Sequence, residues 1–131
     1  MNIYQDKIKA FDHDEKNSIL RFTWMEETKN MTDDDFKSSL TEYAGFVKEK
    51  KVKRLLIDVR KFLFQPKSDV GKWQEETITP MYNKAGVVKK AFLVLTPNLP
   101  KTNSPQALGQ NFPTWFFDNE DKAIQWLCEE L

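Results

Sequence analysis

The C-terminal stretch Phe112–Glu130 constrains the fold most, because a short aromatic strand passes there at once into an amphipathic helix. Asp118 stands at the junction, where its carboxylate can accept orphan backbone N–H groups of the first helical turn. Read with RLLIDV at 54–59 and KKAFLVL at 89–95, this is the third strand-then-helix unit of the chain. Strands alternating with helices predict a mainly parallel sheet with right-handed crossovers. The two upstream strands are nearly unbroken apolar runs, the pattern of strands covered on both faces.

Residues 3–11 and 18–24 are strand-like on either side of the polar turn HDEKN and predict an antiparallel hairpin. In the second of these, Leu20, Phe22 and Trp24 form the buried face, and Ile19, Arg21 and Thr23 the other. The first helix has Thr32 as N-cap, Asp33, Asp34 and Asp35 on the positive end of its dipole, and Met31 and Phe36 at the two staple positions. Its stripe is Phe36, Leu40, Tyr43, Ala44 and Val47, and the cations of KEKKVKR follow as a solvated helix end. The second helix has Ser68 as its N-cap and the stripe Val70, Trp73, Thr77, Ile78, Met81 and Ala85. Pro80 predicts a kink or early end within it, and Gly86 a C-cap. In the last helix Ala123, Ile124, Leu127 and Leu131 form the stripe, with Trp126 and Cys128 on its flanks.

The order is β β α β α β, a long connection, then β α. That makes an α/β fold of about five strands and three main helices, with one antiparallel N-terminal hairpin. The connection 96–112 carries prolines at 97, 100 and 105 among small polar residues, with Gln106 to Gly109 as a candidate last helical turn. Residues 98–110 are expected to be the most mobile internal segment, since their polar side chains offer little apolar area to offset ordering entropy.

A chain of 131 residues is most simply one domain, and at that length folding removes roughly two thirds of the unfolded surface from water. Twenty cations balance twenty anions, so neither nucleic acid nor anionic lipid is an expected partner. The basic run KEKKVKR also lacks aromatic residues for base stacking. The single cysteine rules out an internal disulfide and suits a reducing compartment. The N-terminus has no apolar core of a signal peptide, and no apolar run approaches the ~20 residues of a membrane span. A cytoplasmic protein is expected.

The pieces LLIDVR (55–60), Trp73 followed by Pro80, AGVVKKAFLV (85–94) and FFDNEDKAIQWL (116–127) resemble, in this order and spacing, the SpoIIAA-like group of small bacterial proteins. That group is related in fold to STAS domains and to CRAL-TRIO lipid-binding domains. The resemblance covers most of residues 18–127 and implies a superhelix of βα units with its helices mostly on one face. It implies no single activity, because the group includes regulatory, ligand-binding and unassigned members. STAS regulators carry a phosphorylatable Asp-Ser-Ser-Gly at the helix start after the central strand. Here that region reads Pro66-Lys67-Ser68-Asp69, so Ser68 alone stands as a phosphorylation candidate and the glycine is missing. CRAL-TRIO carriers are longer, with gating helices for which this chain has no room.

No catalytic signature is present. His13 is the only histidine and lies in a charged turn, which excludes metal sites built on two or three histidines. The four glycines are scattered singly, so no glycine-rich phosphate loop is present and no cofactor is expected. Cys128 is near a helix C-terminus beside Glu129 and Glu130, which disfavours a thiolate and makes it a small packing residue. The positions of most interest are Asp58 and Arg60, at the carboxyl end of the central strand, where open α/β sheets bind ligands. Thr96 and Asn98 end the neighbouring strand, and Phe62, Phe64, Trp73, Phe112 and Trp115 are candidates to line an apolar cavity there. The plain alternative is ordinary aromatic core and a structural Asp58–Arg60 ion pair. Two functions follow as expectations. One is a non-enzymatic STAS-like module binding a protein partner, a second copy of itself or a small apolar ligand. The other is a small enzyme using Asp58 with Glu26 or Glu27 as acid and base.

Overall fold

A computed structural model describes residues 1–65, 68–100 and 112–129, Ser68 by its backbone alone. Six strands form one mixed sheet in the order in which they occur along the chain. They are β1 (Asn2–Gln5), β2 (Lys9–Asp14), β3 (Ile19–Trp24), β4 (Arg54–Asp58), β5 (Lys89–Leu93) and β6 (Thr114–Phe117). Neighbours from β1 to β3 are antiparallel, and those from β3 to β6 parallel.

The α/β class and the mixed sheet follow the sequence reading, but residues 3–11 are two strands rather than one. Asp6 makes the break. Its Oδ1 accepts the backbone N–H groups of Ile8 and Lys9 at 2.9 and 3.0 Å, and its Oδ2 accepts the Lys9 ammonium at 2.7 Å. An aspartate that bonds its own backbone this way turns the chain, and β1 becomes an added edge strand.

Helix α1 (Asp33–Glu49) joins β3 to β4 and opens with a reciprocal capping box between Thr32 and Asp35, at 3.1 and 3.0 Å. The crossover from β4 to β5 is α2 (Ser68–Trp73), a π-helical turn Gln74–Ile78, and α3 (Thr79–Ala85). Pro80 has no N–H for the carbonyl four residues earlier. The wider turn before it, in which the Thr79 N–H reaches the Gln74 carbonyl, takes up that mismatch and keeps the helical path going. Gly86, at φ 85°, ends α3 in the left-handed conformation.

Two successive crossovers of one hand, advancing the same way across a sheet, leave their helices on the same face. Accordingly Phe36, Leu40, Tyr43 and Val47 of α1 and Val70, Ile78 and Tyr82 of the second crossover pack together on Phe22, Trp24, Leu55 and Ile57. Helix α4 (Glu120–Cys128) follows the last strand and is not a crossover. It covers the opposite face, over Ile19, Leu56, Ala91 and Leu93. That is why β4 and β5 read as doubly covered.

Three local expectations around α4 need correction. Its N-cap is Asn119, whose Oδ1 accepts the Lys122 N–H at 3.0 Å. Asp118 instead accepts the Thr96 hydroxyl at 2.9 Å, which ties the ends of β5 and β6. Cys128 is exposed rather than packed. Arg54, at the end of the basic run, is not a solvated helix end: its guanidinium donates to the Leu127 carbonyl and to the Asn17 carbonyl, each at 2.7 Å.

Residues 101–111 lie outside the described residues, and with them most of the proline-rich connection and the candidate turn at Gln106–Gly109. The Ser68 side chain, the phosphorylation candidate, lies outside them as well. Among the described residues no helix is long and apolar enough to cross a membrane.

Candidate functional site: an ion-pair network and an aromatic cavity on opposite faces

Alternation along β4 divides the expected site in two. Ile57 belongs to the core under α1 to α3, while Asp58 faces the α4 side, where its partners lie.

Asp58 is 5% exposed. Its carboxylate accepts four hydrogen bonds: from the Arg60 backbone N–H at 3.1 Å, Arg60 Nε at 3.0 Å, Arg60 Nη2 at 2.8 Å and Arg21 Nη2 at 3.0 Å. Arg21 also donates to Thr23 Oγ1 at 3.1 Å and pairs with Glu120 in the first turn of α4. Burial by itself pushes the Asp58 carboxyl up, but the bonds from Arg60 and then Arg21 outweigh it and hold the group below its ordinary value of 3.8. The same bonds push Arg60 up.

A carboxylate held this way is a poor proton acceptor at neutral pH. Glu26 and Glu27 are exposed on the 3₁₀ turn Glu26–Asn30, where Glu27 accepts from the Asn30 amide at 3.3 Å, and Asp58 is paired with arginines instead. The cluster is thus an ion-pair network tying β3, β4 and α4 together. A cleft of about 460 Å³ opens beside it, lined by the charged residues Arg21, Asp58, Arg60 and Lys61 and by the apolar Trp24, Met25 and Leu95 among others.

Asp58→Asn keeps the shape but removes the charge that both arginines use. The expected loss is about 2 kcal/mol at pH 7, in the range for hydrogen bonds to charged groups. The sign with pH follows from the depressed carboxyl. Its contribution is complete above pH 3.8, the unfolded value, and is lost as pH falls below that through the lower folded value. Urea midpoints of the two proteins should therefore converge in strong acid. A gap that stays constant down to the lowest pH would contradict the ionic account.

The other face holds a cavity of about 190 Å³ between the sheet and helices α1 to α3. Trp24, Ile57 and Phe92 line it from the strands, and Phe36, Leu40 and Tyr82 from the helices. Val59 and Phe62 close it after β4, Gln74 enters from the π-helical turn, and Lys90 enters from β5.

Of the aromatic candidates, Phe62 lines this cavity. Phe64 packs at its margin, with ring centroids 5.8 Å from Phe36 and 6.2 Å from Phe62. Phe112 is 1% exposed and sits against Tyr82, 6.4 Å between ring centroids. Trp73 is half-buried on α2, with the Lys37 ammonium 5.5 Å from its ring centroid. Trp115 is on the wrong face for the cavity: it meets Trp126 of α4 edge to face at 5.6 Å. Thr96 and Asn98 form a short exposed 3₁₀ turn and do not line the cavity. Of these candidates the structure thus places Phe62 in the cavity wall and Phe64 and Phe112 behind it, against the lining rings of Phe36, Phe62 and Tyr82, and it sets Asp58 and Arg60 apart across the sheet.

Sequence reasoning missed Arg21, Glu120 and above all Lys90. A signal for Lys90 was present. KKAFLVL reads as a strand covered on both faces, so two adjacent lysines at its start must point to opposite covered faces. Lys89 resolves this by donating to the Trp126 and Glu129 carbonyls at the C-terminus of α4, at 2.6 and 2.8 Å. Lys90, 7% exposed, points the other way. Among the described residues no three His, Cys, Asp or Glu are grouped to hold a metal ion.

Comparison with protein-family models, with curated proteins and with solved structures finds no match to this chain.

Proposed function

We propose that the protein is a small non-enzymatic, STAS-like binding module whose ligand is a small apolar molecule held between the sheet and helices α1 to α3. The observation that carries this reading is the aromatic cavity of about 190 Å³. Its volume lies below the ~300 Å³ at which drug-sized pockets begin. It exceeds the ~150 Å³ of an apolar cavity that accepts benzene. The ligand is therefore of about one ring, or a short acyl chain. A protein partner finds less support, because the exposed large apolar side chains among the described residues are only Met1, Leu63 and Leu95. A cytoplasmic location belongs to this reading, since the thiol of Cys128 is free and exposed.

Native mass spectrometry of protein isolated from cells tests it. The wild type is expected to retain a small organic molecule. Val59→Phe, which adds bulk at a half-buried wall of the cavity, is expected to lose it. Wild-type masses without an adduct, combined with no rise in melting temperature in toluene-saturated buffer, would sink the proposal.

A further inference from the structure

We infer that the ligand of this cavity is a monocarboxylate and that Lys90 is its counter-ion. The inference rests on reading the cavity as a ligand site and adds the chemistry of the ligand. Lys90 is 7% exposed and lines the cavity. Its ammonium is surrounded by ring faces, 5.1 Å from the centroid of Phe92 and 5.9 Å from those of Tyr82 and Phe112. Among the described residues it has no carboxylate and no hydrogen-bond acceptor. The other buried lysines are served: Lys9 pairs with Asp6 at 2.7 Å, and Lys89 holds two carbonyls.

Ring faces attract a cation but do not replace its hydration, and a buried charge is normally paired. Burial brings the Lys90 ammonium down to about 8, so at pH 7 it is still mainly charged. The groups facing it are Tyr82 from α3, kept neutral because burial pushes its hydroxyl up, and the rings of Phe92 and Phe112. No anion is supplied from any of these elements.

A ligand with one carboxylate and a compact apolar body answers both needs. The carboxylate meets the single ammonium, and the body fills the aromatic space. One lysine balances one negative charge, which disfavours a phosphate dianion. The Gln74 amide supplies a further donor in the wall, from a π-helical turn of a kind often found at functional sites.

Titration calorimetry with benzoate and its uncharged isostere benzamide tests the assignment. Wild-type protein is expected to bind benzoate at least about tenfold more tightly than benzamide, as a charge-assisted bond in a desolvated site implies. Lys90→Met should remove that preference by weakening benzoate far more than benzamide, whose carbonyl takes only a neutral acceptor's share of the ammonium. Equal affinities on the wild type, or a benzoate preference that survives in Lys90→Met, would overturn the role of Lys90 and leave the apolar cavity standing. Benzoate binding that survives in Val59→Phe would place the carboxylate site elsewhere and overturn it too. If benzoate, benzamide and toluene all fail to bind the wild type at millimolar concentration, the cavity reading falls and this inference with it.

Discussion

Lys90→Met is expected to raise stability at pH 7 by about 3 kcal/mol in the ligand-free protein. The ammonium falls from 10.5 in the unfolded chain to about 8 in the folded one because burial disfavours its charge. At about 1.4 kcal/mol per pH unit, that drop corresponds to the stated gain. Below pH 8 both states hold the proton and the full penalty is present. Between 8 and 10.5 the unfolded chain binds a proton that the folded one lacks, so wild-type stability from this group rises with pH. Above 10.5 the penalty is gone. Methionine has a similar length, no charge and enough flexibility to fill the space between Tyr82, Phe92 and Phe112. Denaturant unfolding of both proteins at pH 7, 9 and 10.5 checks this, because all other titrating groups cancel in the difference. A variant less stable than wild type, or a gap independent of pH, would refute the account. Saturating benzoate should narrow the gap at pH 7, because it binds only the folded wild type well. Lys90 thus weakens the empty protein in the way that binding groups commonly do.

Trp126→Ala should have an effect of similar size and opposite sign, a loss of roughly 3–5 kcal/mol typical of truncating a buried tryptophan. Trp126 is 8% exposed in α4 and touches Trp115 and Phe117 of β6, with ring centroids 5.6 and 5.7 Å away. The Lys89 ammonium lies 4.8 Å from its ring centroid while donating to its backbone carbonyl. Truncation therefore opens a void and removes a ring face from a buried cation. Cys128→Ala, two residues on and exposed, should change stability by no more than about 0.5 kcal/mol. Guanidinium midpoints of the two variants decide the matter, and equal losses would mean that α4 does not close this face of the sheet.

The elements most legible in the sequence are those whose causes are local. Thr32 with Asp35 closes a capping box over three residues, and Gly86 supplies the left-handed turn that ends α3. The apolar runs of β4 and β5 carry their double burial in their own composition. Two outcomes depended on one side chain choosing among several backbone groups. Asp6 takes the N–H groups of Ile8 and Lys9 and so splits a strand. Asn119 rather than Asp118 caps α4, because Asp118 is engaged by Thr96. Pro80 was legible as a disturbance, but whether the helix would end, kink or widen depended on the packing of Ile78 and Tyr82 against the core.

The candidate site divides along the same line. By itself the sequence determined the α/β order, which strands are buried on both sides, and that residues 57 and 58, like 89 and 90, must face opposite ways, since strand side chains alternate. Only the tertiary structure decided what stands on each face. Arg21 reaches Asp58 across 37 residues of chain, and Glu120 reaches Arg21 across 99. The C-terminal carbonyls of α4 meet Lys89, and a ring of aromatic side chains meets Lys90. The physical reason is that a strand's periodicity specifies the direction of each side chain, whereas a charge's partner is set by which distant element packs on that face. Two adjacent lysines of the same strand therefore acquired opposite electrostatic surroundings.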